Sequence, residues 1–377
     1  MKRLTFLFFF SQFFILGLFA EDIIVRTAQD LMNIRQKVNE GIDDFSGSTI
    51  YLANDINLED IDWIPIGIRS SDESDETKSH PFLGTFDGGG HWIHNLTVKI
   101  KNGNYAGLFG YIGEGGIVQK LGISGDSIEI TQKTSDNVQC YVGGIAAYSE
   151  GTISQCANLA TIRGNQKQAN VGGIVGMIAS IENTEIYGIV EDCYNWGRIC
   201  TSTDYDDYTY LGGIAGASDG TIRRVYVNAS IESGSIYSPR VHGIVPNETF
   251  NSEVENAYYS EGNAYYDQDD NRCGESMLGF ALYGKLNEDD IWSFADGRLP
   301  LLTCMLELLK GDVNMDGQVS IADVTALVNI ILGKDNVPPY QYDHVAANVN
   351  EDEGVSIADV TALVNIILGK EEEVTLP

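Results

Sequence analysis

Cysteine is scarce in this chain: Cys140, Cys156, Cys193, Cys200, Cys273 and Cys304 are the six in 377 residues. That density excludes a disulfide-built scaffold, and no Cys-x-x-Cys pair or neighbouring histidine cluster offers a zinc site. Positive charge is scarce too. Lys and Arg total 23 against 54 Asp and Glu, a net charge of −31. A surface so acidic repels nucleic acid and anionic membranes, but it accommodates calcium, neutral glycans and other proteins. The five histidines are His80, His91, His94, His242 and His344, and none stands with Ser or Cys in a recognisable nucleophile context. GxSxG, HExxH and phosphate-loop signatures are absent.

Long apolar runs are confined to the first twenty residues. Lys2 and Arg3 precede a phenylalanine-rich stretch from Leu4 to Phe19, and Ala20 is a small residue at a suitable cleavage point. These are the marks of a secretory signal peptide over 1–20. The alternative is an uncleaved membrane anchor, which the short run, broken by Ser11 and Gln12, disfavours. The mature chain is expected to be secreted or held at the cell surface, with no membrane insertion after cleavage.

What the chain has is repetition. Val319 to Lys334 reads VSIADVTALVNIILGK, and the same sixteen letters recur at Val355 to Lys370. In the first copy and the residues before it, oxygen-bearing side chains stand at positions 1, 3, 5 and 9 of a twelve-residue loop: Asp312, Asn314, Asp316 and Ser320. Gly317 at position 6 permits a sharp turn, Gln318 at position 7 can offer its carbonyl, and Asp323 closes the loop. A hard cation such as Ca²⁺ takes roughly six to eight oxygens in flexible geometry, and this spacing wraps them round one point. Val324, Leu327, Val328 and Ile331 then recur at helical spacing, as do Val360, Leu363, Val364 and Ile367.

A second repeat system fills the middle. YAGLFG, YVGGIAA, NVGGIVG, YLGGIAG and RVHGIV align Gly107, Gly144, Gly173, Gly213 and Gly243 in one column, and Leu108, Ile145, Ile174, Ile214 and Ile244 in the next. Companion segments align Val118, Ile153, Val190 and Ile222, with Leu121, Cys156, Cys193 and Val225 three residues later. Such columns predict a parallel β-solenoid, in which equivalent residues stack about 4.8 Å apart. Apolar columns become inward ladders, and glycines mark places too tight for a Cβ. A propeller is the alternative, but the intervals are uneven and short for four-stranded blades. Cys156 and Cys193 either stack as buried thiols or bridge two coils; Cys193 and Cys200 are another possible pair.

A solenoid must hide its ends. Thr27 to Asp30 has capping-box spacing, and Leu31, Ile34 and Val38 follow at helical spacing, giving a candidate N-terminal cap. Met277 to Leu286, with Trp292, Leu299 and Pro300, is a candidate helical cap for the other end. The expected domains are therefore 1–20 (signal), 21–262 (solenoid), 263–309 (C-terminal cap) and 310–377 (calcium-binding module).

Two resemblances add to this reading. Gly311 to about Lys370 closely resembles a dockerin, the double EF-hand-like module that docks onto cohesin domains, through GDVNMDG, the closing Asp323 and the near-identical second half. The resemblance implies that Asp312, Asn314, Asp316, Gln318, Ser320 and Asp323 hold one Ca²⁺, and Asn348, Asn350, Asp352, Gly354, Ser356 and Asp359 a second. The second loop departs from the pattern at Asn348 (position 1) and Glu353 (position 6). One strong and one weaker site are therefore expected. Dockerins contact cohesin partly through loop positions 10 and 11, here Ile321-Ala322 and Ile357-Ala358. The middle of the chain resembles the GLUG-motif repeats of exported bacterial proteins, especially of gut and oral Bacteroidetes. FLGTFDGGGHWIHNLTV is similar to the strand-turn-strand segment that opens right-handed β-helices in such proteins.

The expected fold is thus mainly β: a right-handed parallel β-helix with helical caps, plus a small α-helical dockerin-like domain. The expected function is non-catalytic binding or adhesion, with Ca²⁺-dependent attachment to a cohesin-type domain and with glycans or host surface proteins as further partners. The alternative is a polysaccharide hydrolase or lyase tethered by the same module. A third reading has the module merely capping the solenoid. Glycoside hydrolysis usually needs two flanking carboxylates. Glu191-Asp192 is the one acidic pair in the repeats, on a strand expected to be solvated, aligned with Ser154-Gln155 and Arg223-Arg224. Tyrosines in Asp204 to Tyr210 and in Ala257 to Tyr266 could stack on sugars.

Overall fold

A computed structural model describes residues 22–70, 76–101, 103–132, 138–166, 168–180, 187–201, 209–233, 240–249, 251–260, 277–279, 281–286, 291–294, 299–306, 311, 313–314, 319–334, 347–350, 352 and 354–368. The aligned columns fold as stacked coils with five strand positions each. The first position runs Thr85–Asp87, Ile117–Gln119, Thr152–Ser154, Ile189–Glu191 and the start of Thr221–Val227, and closes on Glu253–Tyr259, all in parallel. The second runs Trp92–His94, Gly122–Ile123, Ala157–Asn158 and Tyr194–Asn195 into the end of Thr221–Val227. Three further parallel sheets, one of them built on Tyr105–Ala106, Cys140–Gly143, Ala169–Gly172, Tyr210–Gly212 and Arg240–His242, complete the circuit.

The registers match the sequence columns. Val118, Ile153, Val190 and Ile222 stack in line, and these and the Leu121, Cys156, Cys193 and Val225 column have no exposed surface. Cys156 and Cys193 are free thiols. Their Sγ–H groups donate to the carbonyls of Ser154 (3.2 Å) and Glu191 (3.1 Å). Burial raises the Cys193 thiol pKa well above its ordinary value.

The glycine column has two causes. Gly173 faces the side chain of Asn195 across the coil interior and lies against the Gly213 carbonyl of the next coil. A Cβ at Gly173 would stand 2.2 Å from Asn195 Nδ2 and 2.3 Å from that carbonyl oxygen. Asn158 and Asn195 form a fully buried ladder, Asn158 Nδ2 donating to Asn195 Oδ1 at 2.8 Å, and Gly144 and Gly173 make room for it. Gly173→Ala is expected to cost about 3 kcal/mol, at the upper end of ordinary overpacking because one obstacle is backbone. Gly284→Ala, where a Cβ meets nothing within 4 Å, should change stability by less than about 0.5 kcal/mol. Thermal denaturation of the two variants checks the difference.

Between the first two strand positions each coil turns a corner. Lys120, Gln155, Asp192, Arg224 and Asn256 occupy it with φ of 52°, 51°, 51°, 52° and 48°. Left-handed backbone in non-glycine residues is costly. It is retained here because neighbouring coils bond through it: Lys120 N–H donates to the Ser154 carbonyl and Gln155 N–H to that of Glu191.

Helix α1 (Ala28–Asn39) carries the expected Thr27/Asp30 capping box and buries Leu31, Ile34 and Val38 in the solenoid core. The segment expected to close the opposite end lies elsewhere. Its described parts pack along the flank, over the outward residues Trp92, Ala157, Tyr194, Tyr226 and Tyr258 of the second strand position. Tyr226 donates to the Pro300 carbonyl, and the Cys304 carbonyl lies against Gly90, at the opposite end of the strand ladder from Glu253–Tyr259. It is a strap, and its helix is shorter than expected: α2 is Tyr283–Leu286. The aromatic outward ladder explains the placement, since an end cap would leave those rings in water.

In the C-terminal module, α3 (Ile321–Ile331) and α4 (Ile357–Ile367) each start on a capping box, Ser320/Asp323 and Ser356/Asp359. Leu327 and Leu363 are fully buried with Val313, Ala326, Ala347 and Val349. The α3 stripe is rotated from the expected one. Ala326 and Leu327 are buried, whereas Ile331 is 37% exposed. The sequence pattern counted apolar residues alone, and Asp323, which turns inward to hydrogen-bond, shifts the buried face. No helix among the described residues is long and apolar enough to cross a membrane.

Candidate functional site

The second calcium-type loop is described at all six predicted positions. Asp359 sits at zero exposure, accepting Asn350 N–H on Oδ1 (3.1 Å) and Ser356 N–H on Oδ2 (2.7 Å). Burial alone would raise its pKa, but these hydrogen bonds outweigh burial and hold it below the ordinary value. Asn350 Oδ1 accepts from Asp352 N–H at 3.1 Å, and Asp352 Oδ1 from Gly354 N–H at 3.0 Å. Asn348 Nδ2 donates to the Asp352 carbonyl at 2.8 Å, while Asn348 Oδ1 is buried with no hydrogen-bond partner. A buried acceptor left without a donor is costly. A cation would satisfy it, and the donor set is all hard oxygen, as Ca²⁺ requires.

Asn314, Ser320 and Asp323 of the first loop repeat this geometry: Asp323 accepts Asn314 N–H (3.0 Å) and Ser320 N–H (2.7 Å). Asp312, Asp316 and Gln318 lie outside the described residues. Among the described residues no three His, Cys, Asp or Glu gather to hold a metal. The second loop could not form such a group, since most of its oxygens belong to amides and carbonyls. The four predicted docking residues, Ile321, Ala322, Ile357 and Ala358, are all exposed, with Ile321 and Ile357 at 72% and 71%.

The acidic pair on the solenoid is not solvated as the sequence suggested. Asp192 is 2% exposed and Arg224 9%. Arg224 Nε donates to Asp192 Oδ1 (2.9 Å) and Nη2 to Oδ2 (2.7 Å), a bidentate pair. Glu191 accepts from Arg223 Nε (2.7 Å) and Arg224 Nη2 (2.9 Å). Trp292 of the strap closes over the pair and donates its indole N–H to Asp192 Oδ1 at 3.0 Å. The aligned arginines of the next coil therefore neutralise the carboxylates, and neither is positioned to protonate a glycosidic oxygen.

The histidines hold one arrangement that sequence spacing did not show. His94 Nδ1 lies 3.0 Å from Ser124 Oγ and Nε2 3.4 Å from Asp55 Oδ2, and His91 Nδ1 lies 3.2 Å from Asp55 Oδ1. The order Ser–His–Asp matches a nucleophile relay. Its setting does not. Asp55 and His94 are about half exposed, and the Ser124 N–H, which would help stabilise an oxyanion, is spent on the Ile93 carbonyl. We read it as a side-chain ladder on the coil surface. The Tyr258–Tyr259 pair, a candidate sugar platform, is also occupied: Tyr259 is 2% exposed in the core and Tyr258 packs with the strap under Lys285. Most of the Asp204 to Tyr210 segment lies outside the described residues.

No family model matches the chain. It is 37% identical over 99 residues to halomucin of Haloquadratum walsbyi, covering 26% of this chain and 1% of that protein. It is 30% identical over 130 residues to a provisionally named Gly-rich membrane protein of Evansella cellulosilytica, covering 34% of this chain and 13% of that protein. Among solved structures, one provisionally named an immunoglobulin A1 protease, from Bacteroides ovatus, is similar with 18% identity and a TM-score of 0.49, over 74% of this chain and 92% of that one. The chain thus spans only a small fraction of the curated relatives it matches.

Proposed function

We propose that the chain is an exported, surface-associated, non-catalytic binding protein, whose solenoid presents ligand-binding flanks and whose C-terminal module attaches it, with Ca²⁺, to a cohesin-type domain. In this reading the coils wind right-handed, the hand that parallel connections overwhelmingly take. The observation that carries the attachment half is the matched pair of helix starts. Two identical helices expose Ile321 and Ile357 to the same degree, each beside an exposed alanine and on a buried carboxylate that fastens its loop. Large apolar side chains held at the start of a capped helix are suited to a protein partner. The names of the curated relatives, a halomucin and a membrane protein, favour a surface location. The orphaned Asn348 Oδ1 favours a metal in the weaker loop.

The test is calorimetric titration with a cohesin domain in calcium and in chelator. Binding is expected only in calcium. Because either helix can face the partner, Ile321→Asp or Ile357→Asp alone should weaken binding by less than about fivefold. The double variant should lose at least about tenfold, the scale of burying one such side chain, at roughly 1.5–3 kcal/mol, in either orientation. Failure of the calcium-loaded chain to bind any cohesin domain would overturn the attachment half.

A further inference from the structure

The solenoid flank carries a concave site that no sequence motif announces. A groove of about 260 Å³ is lined by Ile64, Pro65, Ile68, Arg69, Asn104 and Tyr105, among others. Ile64 and Ile68 leave 54% and 40% of their surface in water. The frame is stiff. Asn39 of α1 donates to the Pro65 carbonyl (2.9 Å) and accepts from Gly67 N–H (2.7 Å), and Ile68 and His80 exchange backbone hydrogen bonds. Arg69 is therefore held at the base of its loop.

Arg69 is the informative residue. Its guanidinium lies 4.1 Å from the centre of the Tyr148 ring, and Nη1 donates to Tyr105 Oη at 3.3 Å. Tyr105 and Tyr141 stack at 5.5 Å and 11° along the coil axis, and Tyr148 meets both edge-on. Among the described residues no carboxylate pairs with Arg69. Glu150, an acid on the same face, accepts the Tyr111 hydroxyl at 2.6 Å. Among the described residues this part-buried guanidinium faces rings alone, which is unusual in a chain with 54 acidic side chains, because desolvated cations are normally matched by an anion. Its fork keeps N–H groups for a planar anion.

We propose that this groove binds a sugar ring bearing a carboxylate, with Arg69 pairing the carboxylate and Tyr105, braced by its stack on Tyr141, taking the C–H face of the ring. The volume is below that of pockets for drug-sized ligands, roughly 300–1,000 Å³, and suits a single ring. The net charge of −31 does not forbid an anion, because exposed charges beyond about 8 Å are screened at physiological salt. The inference deepens the solenoid half of the proposed function and is independent of the calcium module.

The probes are glucuronate, galacturonate and N-acetylneuraminate, with glucose as the neutral control, titrated into the calcium-loaded full chain at physiological salt. At least one acid is expected to bind tenfold or more tightly than glucose. Arg69→Gln should erase that preference, Arg69→Lys should reduce it, and Tyr141→Ala should weaken acid and glucose alike. Equal affinities for glucose and all three acids would overturn the proposal, as would an undiminished preference in folded Arg69→Gln. If Arg69→Gln does not fold, the Lys and Tyr141 variants decide: an undiminished preference in Arg69→Lys together with undiminished affinities in Tyr141→Ala overturns it. None of these outcomes touches cohesin binding, so the two proposals fail separately.

Discussion

Replacing Asp192 with alanine is expected to destabilise the solenoid by about 3 kcal/mol, the low end of the cost of breaking a buried ion pair, because Glu191 still faces Arg224. At roughly 2–4 °C per kcal/mol for a domain of this size, the melting temperature should fall by about 6–12 °C. The cause is local. Arg224, 9% exposed, keeps Glu191 as its remaining acceptor, and the Trp292 indole N–H loses its partner beneath the strap. Because a solenoid's stability is a sum over neighbouring coils, the damage belongs at the interface between the Ile189–Glu191 and Thr221–Val227 strands. Replacing both partners together, Asp192→Leu with Arg224→Met, should recover most of the loss, since a buried ion pair is often matched by apolar residues of similar volume. A melting temperature for Asp192→Ala within 2 °C of wild type would show that the pair is merely decorative. The single variant also loosens the strap, so Trp292 fluorescence should shift to the red.

That pair also shows how far the sequence could be read. The repeat alignment put Glu191-Asp192 in the same row as Arg223-Arg224, which is where the structure stacks them. The alignment could not show that the corner residues Asp192 and Arg224 are buried, with a strap over them. Trp292 of that strap lies 100 residues from Asp192, and nothing in the strap's letters says which face it covers. The apolar and glycine columns were legible because a solenoid repeats one local environment per coil, so each column reports a single structural position. The α1 capping box was legible because it depends on four adjacent residues. The Arg69 groove was not, since it gathers residues from three separate stretches around α1, Ile64 to Arg69 and Tyr105. The Ser124–His94 contact was missed for the same reason: it joins neighbours across coils, 30 residues apart.

Removal of calcium is expected to have the second large effect, and on the other part of the chain. The module's fully or nearly buried apolar set is small: Val313, Ala326, Leu327, Ala347, Val349 and Leu363. A core in a chain segment below about 70–80 residues rarely supplies more than about 3–5 kcal/mol. Calcium at a thousand times its dissociation constant adds about 4 kcal/mol per site. Two occupied sites together outweigh such a core, so withdrawing the ions should remove most of what holds the helices. The proposed role of Asp323 and Asp359 links the two. Each fastens loop backbone and caps a helix, so releasing the loop releases the helix start. The solenoid has its own core, and its β signal should persist.

The most direct measurement is therefore far-ultraviolet circular dichroism of the full chain as a calcium chelator is added and then back-titrated with Ca²⁺. The account predicts loss of the helical component, retention of the β component, and recovery in two steps, the tighter assigned to the first loop by its absence in Asp312→Ala. A helical signal indifferent to the chelator would contradict it, because calcium would then not be what folds the attachment module.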